Sequence, residues 1–230
     1  MAFFQDPARQ PFLRVPPVVI WLIALFLGIH GLLTTLFASH ANEIYLAYGF
    51  VPALYSPSAV ARAGIHVGIV ADLAFRFVSY IFLHGSWSHV ILNCVWLLAF
   101  GPVVARRFGT PLFLMFFLVC GILAAVAHLV VNWGSPVEVV GASGGIAGLM
   151  GAAFRMPQFD SSESADAPLA PILSARILIW SAAWLLVNVL AGVTGLGGGP
   201  GPNMVAWVAH MGGYFAGLLL AGPVDALARR

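Results

Sequence analysis

The chain has 230 residues, of which 61% are hydrophobic and only 8% are charged, and its formal net charge is +2. A soluble domain carries roughly 25% charged residues, so this composition excludes a soluble or disordered protein and indicates a membrane protein built from helices. The small net charge is spread over many segments. It therefore excludes the basic surface of a nucleic-acid-binding protein, and no nucleic-acid partner is expected.

Six apolar segments are predicted, and we expect residues 1–230 to form one all-α membrane domain. A helix needs about 20 apolar residues to cross a hydrocarbon core of roughly 30 Å. Five segments meet that length or come close to it: residues 15–38, 86–104, 112–131, 172–193 and 203–221. With a shorter fourth segment, they predict a bundle of six transmembrane helices in the lipid bilayer.

The fourth segment, residues 143–154, is too short to cross a membrane alone. Its twelve residues would span about 18 Å as a helix. The chain before it, residues 132–142, must then dip into the membrane plane, which is tolerated only where protein or a water-filled cavity surrounds the backbone. The fourth helix is therefore predicted to start inside the membrane.

The distribution of arginine residues predicts the orientation. Residues 39–75 form a long loop that can hold short interfacial helices, and residues 157–171 form a polar linker. With six crossings, only Arg62 and Arg76 lie on one side, and the other eight basic residues lie on the opposite side. Both termini, including a short segment 1–14, are therefore expected to be cytoplasmic in a multi-pass protein of the cell membrane. The absence of Lys and the abundance of Ala, Gly, Pro and Arg are typical of a bacterial protein.

Strongly polar residues occur near the starts of the second, fourth and sixth segments. Such groups are costly inside a bilayer and are functional candidates by default. His89 and Asn93 lie four residues apart in the second segment and so share one helical face. Ser143 opens the fourth segment, and His210 lies in the sixth.

Stripes of small residues predict a close contact between the fourth and sixth segments. The stripes are Gly144, Gly148 and Ala152 in the fourth segment and Gly213 and Gly217 in the sixth. Small residues at this spacing let two helix backbones approach closely. If the stripes face each other, Ser143 and His210 lie near each other at the non-cytoplasmic end of the contact.

A hydroxyl within hydrogen-bond reach of an imidazole is the minimum for an activated nucleophile. His89 and Asn93 could then donate hydrogen bonds to the oxyanion that forms when the nucleophile attacks. The backbone N–H of Ser143, at a helix start, would point the same way. No carboxylate is obviously placed to orient His210, so the pattern favours a Ser-His dyad over a triad.

Three motifs, in this order along the chain, resemble those of a known family. They are His89-Val-Ile-Leu-Asn93 (HxxxN), Gly141-Ala-Ser143-Gly144 (GxSG) and Ala209-His210-Met-Gly-Gly213-Tyr-Phe-Ala-Gly217 (AHxxGxxxG), with His84 five residues before His89. Over residues 75–221 the chain resembles a rhomboid intramembrane serine protease of the bacterial six-helix type.

The resemblance implies Ser143 as the nucleophile and His210 as the general base. It assigns His89, Asn93 and Gly141 to the oxyanion and substrate-binding site. Supporting roles fall to His84, Gly144, Gly213 and Gly217. It further implies a water-filled cavity open to the non-cytoplasmic side, with the fifth segment and residues 195–201 as the mobile side through which a substrate helix enters.

The predicted activity is that of an endopeptidase that cuts transmembrane or juxtamembrane segments of other membrane proteins. Substrate segments that unwind easily are expected to be preferred, and the resemblance implies a small residue before the cut. No cofactor site is visible in the sequence. The sequence does not indicate the substrate's identity or the oligomeric state.

Two positions depart from the family pattern. Phe75-Arg76 stands where many members carry a Trp-Arg pair. Ala147 stands four residues after the serine, where some members carry a tyrosine that packs on the histidine ring. The second departure affects the restraint on the ring of His210 and removes no reactive group.

The polar residues also allow other interpretations. Ser143 could be a helix N-cap, and His89 and Asn93 could form a structural bridge. A metal site is disfavoured because the sequence has no HExxH motif and no carboxylate at ligand spacing. As a whole, the chain could instead be a non-catalytic rhomboid-like adaptor or chaperone that binds membrane segments. A small transporter or channel is a further alternative, but the short fourth segment is the one feature of the sequence that agrees with it.

Overall fold

The computed structural model describes residues 15–63, 70–157, 167–194 and 206–230. Its helices are α1 (Pro17–Thr34), α2 (Ala41–Tyr48), α3 (Pro57–Ala63), α4 (Val70–Ser79), α5 (Trp87–Val131), α6 (Ser143–Arg155), α7 (Ala175–Thr194) and α8 (Ala206–Ala228). Within the described ranges, strand-like pairing is limited to one isolated bridge between Phe50 and Val139. The fold is therefore all-α, as predicted.

Several predictions concern residues outside the described ranges. These residues are 1–14, 158–166 of the linker, 195–201, and the first three residues of the predicted sixth segment. Among the described helices, α1, α5 and α8 are long and apolar enough to cross a membrane, and α7 contributes a shorter apolar stretch, Ala175–Leu190.

Helix α5 contains a break that makes it two antiparallel arms. Gly109 has φ 72° and ψ 165°, which is not helical backbone, and a positive φ of this size favours glycine. The first arm comprises residues 87–108 and the second arm residues 110–131. The rings of Phe108 and Phe116 pack across the break at 5.3 Å. The second and third predicted segments thus correspond to the two arms.

The second arm of α5 runs antiparallel to α6 and lies against it. A Cβ atom on Gly144 would approach the side chain of Ala124, and one on Gly148 would overlap that of Cys120. Residue numbers increase along α6 while those of the contacting residues in the arm decrease, so the two helices are antiparallel. Helix α6 is buried from Gly144 to Phe154, as expected for an apolar helix surrounded by protein.

Helices α6 and α8 run parallel and touch through their backbones. A Cβ atom on Gly213 would overlap the carbonyl oxygen of Gly144, and one on Gly217 would overlap that of Gly148. Both helices begin at the same end of the bundle. The predicted contact between the two small-residue stripes is confirmed.

The segment before α6 is held against the region between α1 and α5. Phe50 and Val139 exchange two backbone hydrogen bonds of 3.0 and 2.8 Å. The backbone N–H of Gly141 donates to the carbonyl oxygen of Tyr80 at 2.9 Å. The irregular backbone of residues 132–142 is thus hydrogen-bonded to neighbouring protein; its C-terminal end, Gly141 and Ala142, is buried, whereas Trp133 and Pro136 are exposed. The short helices expected within residues 39–75 are present as α2, α3 and the start of α4.

An ion-pair cluster lies at the end of the bundle opposite Ser143. The guanidinium of Arg107 donates to both carboxylate oxygens of Asp225, at 2.6 and 3.0 Å, and Arg229 donates to Asp225 at 3.0 Å. Helix α8 continues to Ala228, although the prediction ended it at residue 221, before a Gly-Pro pair. These ion pairs stabilise the turns that follow Pro223, which costs the helix one backbone hydrogen bond.

Candidate active site

Ser143 and His210 lie within hydrogen-bond distance across the contact between α6 and α8. The Oγ atom of Ser143 is 2.8 Å from Nε2 of His210. Ser143 is the first residue of α6, and His210 lies in the first turns of α8. The close parallel packing of the two helices brings both side chains together, and both are half-buried.

The interpretation of Ser143 as a helix cap is wrong. The N-cap of α6 is Ala142, and no side chain caps this helix end. A serine at the first helical position leaves its hydroxyl free for another partner, and here that partner is His210.

His89 and Asn93 lie beside the backbone that precedes Ser143. Gly141 has φ 121°, and a Cβ atom there would lie 2.7 Å from Nε2 of His89 and 3.9 Å from Nδ2 of Asn93. This position therefore requires glycine for its backbone conformation and for space. The side-chain amide of Asn93 donates to the carbonyl oxygen of His89 at 3.0 Å, which uses one of its two hydrogens.

The start of α5 is fixed by a helix cap that also sets the position of His89. The side chain of Ser86 accepts a hydrogen bond from the backbone N–H of His89 at 3.1 Å. This is the usual N-cap arrangement, in which a side-chain oxygen satisfies an N–H of the first turn. The cap orients the first turn of the arm that carries both His89 and Asn93.

His84 lies behind His89 and is fully buried. Its ring packs edge-on against that of His89 at 5.2 Å and lies 5.4 Å from the ring of Phe26 on α1. Tyr45 donates a hydrogen bond to the carbonyl oxygen of His84 at 2.5 Å. These contacts place His84 beside His89, and its supporting role stays a prediction.

Helix α7 supplies a polar contact to His210 that the sequence prediction missed. Nδ1 of His210 lies 3.0 Å from Oδ1 of Asn188, and Nδ2 of Asn188 donates to the carbonyl oxygen of Trp207 at 3.3 Å. The signal available in the sequence was a strongly polar residue inside an apolar helix. Its partner could not be identified without the rotation of α7 about its axis.

The other histidines of the described helices do not join this group. His30 of α1 is buried and packs edge-on against Trp87 at 4.8 Å. His128 lies near the end of α5, beside Asn132. Among the described residues, no group of three or more His, Cys, Asp or Glu side chains is arranged to hold a metal ion.

Comparison with known proteins adds independent information. Residues 72–224 match the family model of the Rhomboid domain. The chain belongs to the rhomboid family. This match contains all three motifs and the residues His84, Ser143, Asn188 and His210.

Relatives of this rhomboid protein include bacterial proteins that are named as rhomboid proteases. YdcA of Bacillus subtilis (strain 168), which is named as a rhomboid protease, is 26% identical over 201 residues, covering 86% of this chain and 92% of the relative. Rhomboid protease GlpG of Yersinia pestis (strain Pestoides F) is 25% identical over 147 residues, or 64% of this chain. This chain spans about half the length of GlpG, because the match covers 47% of that protein. Family membership and these relatives support the activity of an intramembrane protease.

Proposed function

We propose that this rhomboid protein is a serine-type endopeptidase in which Ser143 is the nucleophile and His210 the general base. The observation that carries the proposal is the 2.8 Å separation of Ser143 Oγ and His210 Nε2. A nucleophile and base at this distance, each on a different helix of a packed core, meet the geometric requirement for an activated serine.

The chemistry follows from this pair. Ser143 Oγ attacks the carbonyl carbon of the scissile peptide bond, and its proton passes to Nε2 of His210. The tetrahedral intermediate collapses as the C–N bond breaks and the imidazolium returns the proton to the leaving amine. Water then attacks the acyl-enzyme ester, with His210 again accepting and returning a proton. Serine is thereby regenerated and the new carboxyl end is released.

We assign the oxyanion site to His89, Asn93 and the backbone around Ser143. The proximity of His89 and Asn93 to Gly141 supports this assignment, because Gly141 lies two residues before the nucleophile. The N–H groups of the first helical turn have no partner within the helix. The N–H of Ser143 is therefore available to donate to a developing negative charge.

The substrates we propose are membrane proteins whose transmembrane or juxtamembrane segments unwind easily. Hydrolysis requires an exposed peptide bond, and a stable helix hides its backbone in hydrogen bonds. Entry of a substrate helix beside α7 is consistent with the exposed apolar surface of α7. Its exposed residues include Leu178, Ile179, Leu186, Val187 and Leu190. A small residue before the cut is the expected preference.

The proposed orientation places the active site toward the non-cytoplasmic side and both termini in the cytoplasm. The ion-pair cluster of Arg107, Asp225 and Arg229 lies at the end of the bundle opposite Ser143, and basic residues favour the cytoplasmic side. Fusion of a reporter to each terminus tests this orientation. A C-terminal reporter that is active only outside the cytoplasm would contradict it.

Covalent labelling with a fluorophosphonate probe tests the nucleophile directly. Purified wild-type protein in detergent should be labelled, whereas Ser143→Ala and His210→Ala should not be. Ser181→Ala is the matched control, since Ser181 is also a serine within the helical bundle but bonds to the hydroxyl of Tyr214. This control should be labelled like the wild type.

The remaining outcomes have distinct meanings. Equal labelling of wild type, Ser143→Ala and His210→Ala would place the reactive group elsewhere and overturn the proposed pair. If the wild type is neither labelled nor able to cut a reporter transmembrane segment in liposomes, the non-catalytic adaptor becomes the better interpretation.

A further inference from the structure

The contact between Asn188 and His210 has a defined donor and acceptor. The NH2 group of Asn188 donates to the carbonyl oxygen of Trp207 at 3.3 Å. Reversing the amide would place two oxygen atoms against each other at that position. The carbonyl of Trp207 therefore fixes the amide so that Oδ1 of Asn188 faces Nδ1 of His210, at 3.0 Å.

An acceptor at this position selects one tautomer of His210. Oδ1 of Asn188 can only accept, so Nδ1 of His210 must carry the proton. Nε2 is then unprotonated and can accept the hydrogen of the Ser143 hydroxyl. This is the tautomer that a general base needs before attack. The same contact stabilises the positive charge that His210 gains when it takes the proton.

Asn188 belongs to a side-chain face that joins α7 to α8. Ser181, Trp184 and Asn188 are spaced three and four residues apart and so share one face of α7. Ser181 lies within hydrogen-bond distance of the hydroxyl of Tyr214, and the ring of Trp184 stacks on that of Tyr214 at 4.5 Å. The orientation of the His210 ring is therefore set from α7 rather than from α6, where Ala147 offers no ring to restrain it.

We propose that Asn188 is a positioning residue, which holds His210 in its reactive tautomer and orientation and makes the alignment of the base depend on the position of α7. The inference rests on the proposed roles of Ser143 and His210. It adds a third group to the predicted pair and places that group on the helix beside which a substrate would enter.

The test compares Asn188→Leu with Ser181→Ala. Leucine has a similar volume and no acceptor, whereas Ser181→Ala removes a hydrogen bond between the same two helices without touching His210. Since a neutral hydrogen bond contributes about 1 kcal/mol, Asn188→Leu should lower kcat for a reporter substrate in liposomes about fivefold. KM should change less than about threefold, because the bond acts on the base rather than on the substrate. Ser181→Ala should stay within about twofold of the wild type in both parameters.

Asn188→Asp provides a conservative variant with a different signature. It keeps an acceptor oxygen facing Nδ1 and adds a negative charge, which favours the imidazolium form of His210, although its second oxygen loses the hydrogen bond to the Trp207 carbonyl. Activity should recover relative to Asn188→Leu, and the acid limb of the kcat–pH profile should move to higher pH. His89 of α5 is titratable and interacts electrostatically with His210. It is present in the wild type and in every variant, so it does not account for a difference between their pH profiles. A purely structural role for Asn188 would leave the kcat of Asn188→Asp as low as that of Asn188→Leu.

The outcomes separate this inference from the proposed function. If Ser143→Ala is inactive while Asn188→Leu matches the wild type, the positioning role is wrong and the nucleophile assignment stands. If Asn188→Leu and Ser181→Ala lower kcat equally, the effect belongs to the helix contact and the positioning role is also wrong. If Ser143→Ala keeps full activity, the proposed function itself fails.

Discussion

Helix α8 meets its two neighbours α6 and α7 in different ways. Toward α6 the contact is between backbones, since Gly213 and Gly217 lie directly against the carbonyl groups of Gly144 and Gly148. Toward α7 the contact is made by side chains, including the stack of Trp184 on Tyr214 and the bond between Asn188 and His210.

This difference assigns different tasks to the two faces. A backbone contact in a densely packed core cannot shift without many atoms moving together, so the α6 face fixes the distance between nucleophile and base. A side-chain contact at the edge of the bundle can open at low cost. We infer that the α7 face governs the orientation of the His210 ring, which the backbone contact leaves free. One surface of α8 thus fixes the distance between Ser143 and His210, and the other surface sets the orientation of the His210 ring.

Separating α6 from α8 should have the largest effect on the active site. Gly217→Val places a branched side chain where even a Cβ atom would overlap the Gly148 carbonyl oxygen. We expect the fluorophosphonate labelling rate to fall at least about 100-fold, since misplacement of reacting groups by about 1 Å costs that much. The free energy of unfolding should also fall, by about 1–3 kcal/mol.

The control for this variant lies five residues further along the same helix. A Cβ atom on Gly222 would make only ordinary contact, 3.6 Å from Nη1 of Arg155. Gly222→Ala should label at the wild-type rate, and alanine should also favour the helix. Normal labelling of Gly217→Val would show that the backbone contact does not set the geometry of Ser143 and His210.

The α6 face could be predicted from sequence, and the α7 face could not. Small residues four apart mark a helix contact directly, because they leave backbone atoms as the contact surface. The start of α6 at Ser143 followed from the length of the apolar run and from the motif around it. The contact of Asn188 depends instead on how α7 rotates and tilts against α8, and a single polar residue in an apolar helix does not specify either quantity.

Weakening the side-chain contact between α7 and α8 should lower the labelling rate less than separating α6 from α8. Trp184→Ala removes the aromatic stack on Tyr214 and loosens the helix that carries Asn188. Such a pair contributes about 0.5–1.5 kcal/mol, so we expect the labelling rate to fall about threefold. Trp184→Phe keeps a stacking ring and should restore most of the rate. Faster labelling of Trp184→Ala would mean that α7 chiefly restricts access to Ser143 rather than aligning its base.

Substitutions near the C-terminal end of α8 should lower the free energy of unfolding without changing the labelling rate of Ser143. The side chains of Arg107 and Asp225 are 5% and 11% exposed, whereas that of Arg229 is 45% exposed. Asp225→Ala removes the carboxylate that neutralises the buried guanidinium of Arg107 and should lower the free energy of unfolding by about 3–5 kcal/mol. Arg229→Ala is the matched control and should cost at most about 1 kcal/mol.

The labelling rate of the folded fraction should change less than about twofold in the Asp225→Ala variant, because Asp225 lies fifteen residues after His210, or about 22 Å along the helix. The measurement combines thermal unfolding in detergent with labelling below the transition. A large loss of labelling in folded Asp225→Ala protein would show that α8 transmits strain along its whole length. In that case the spacing of Ser143 and His210 would depend on both ends of the helix, and the backbone contact with α6 would not be sufficient to fix it.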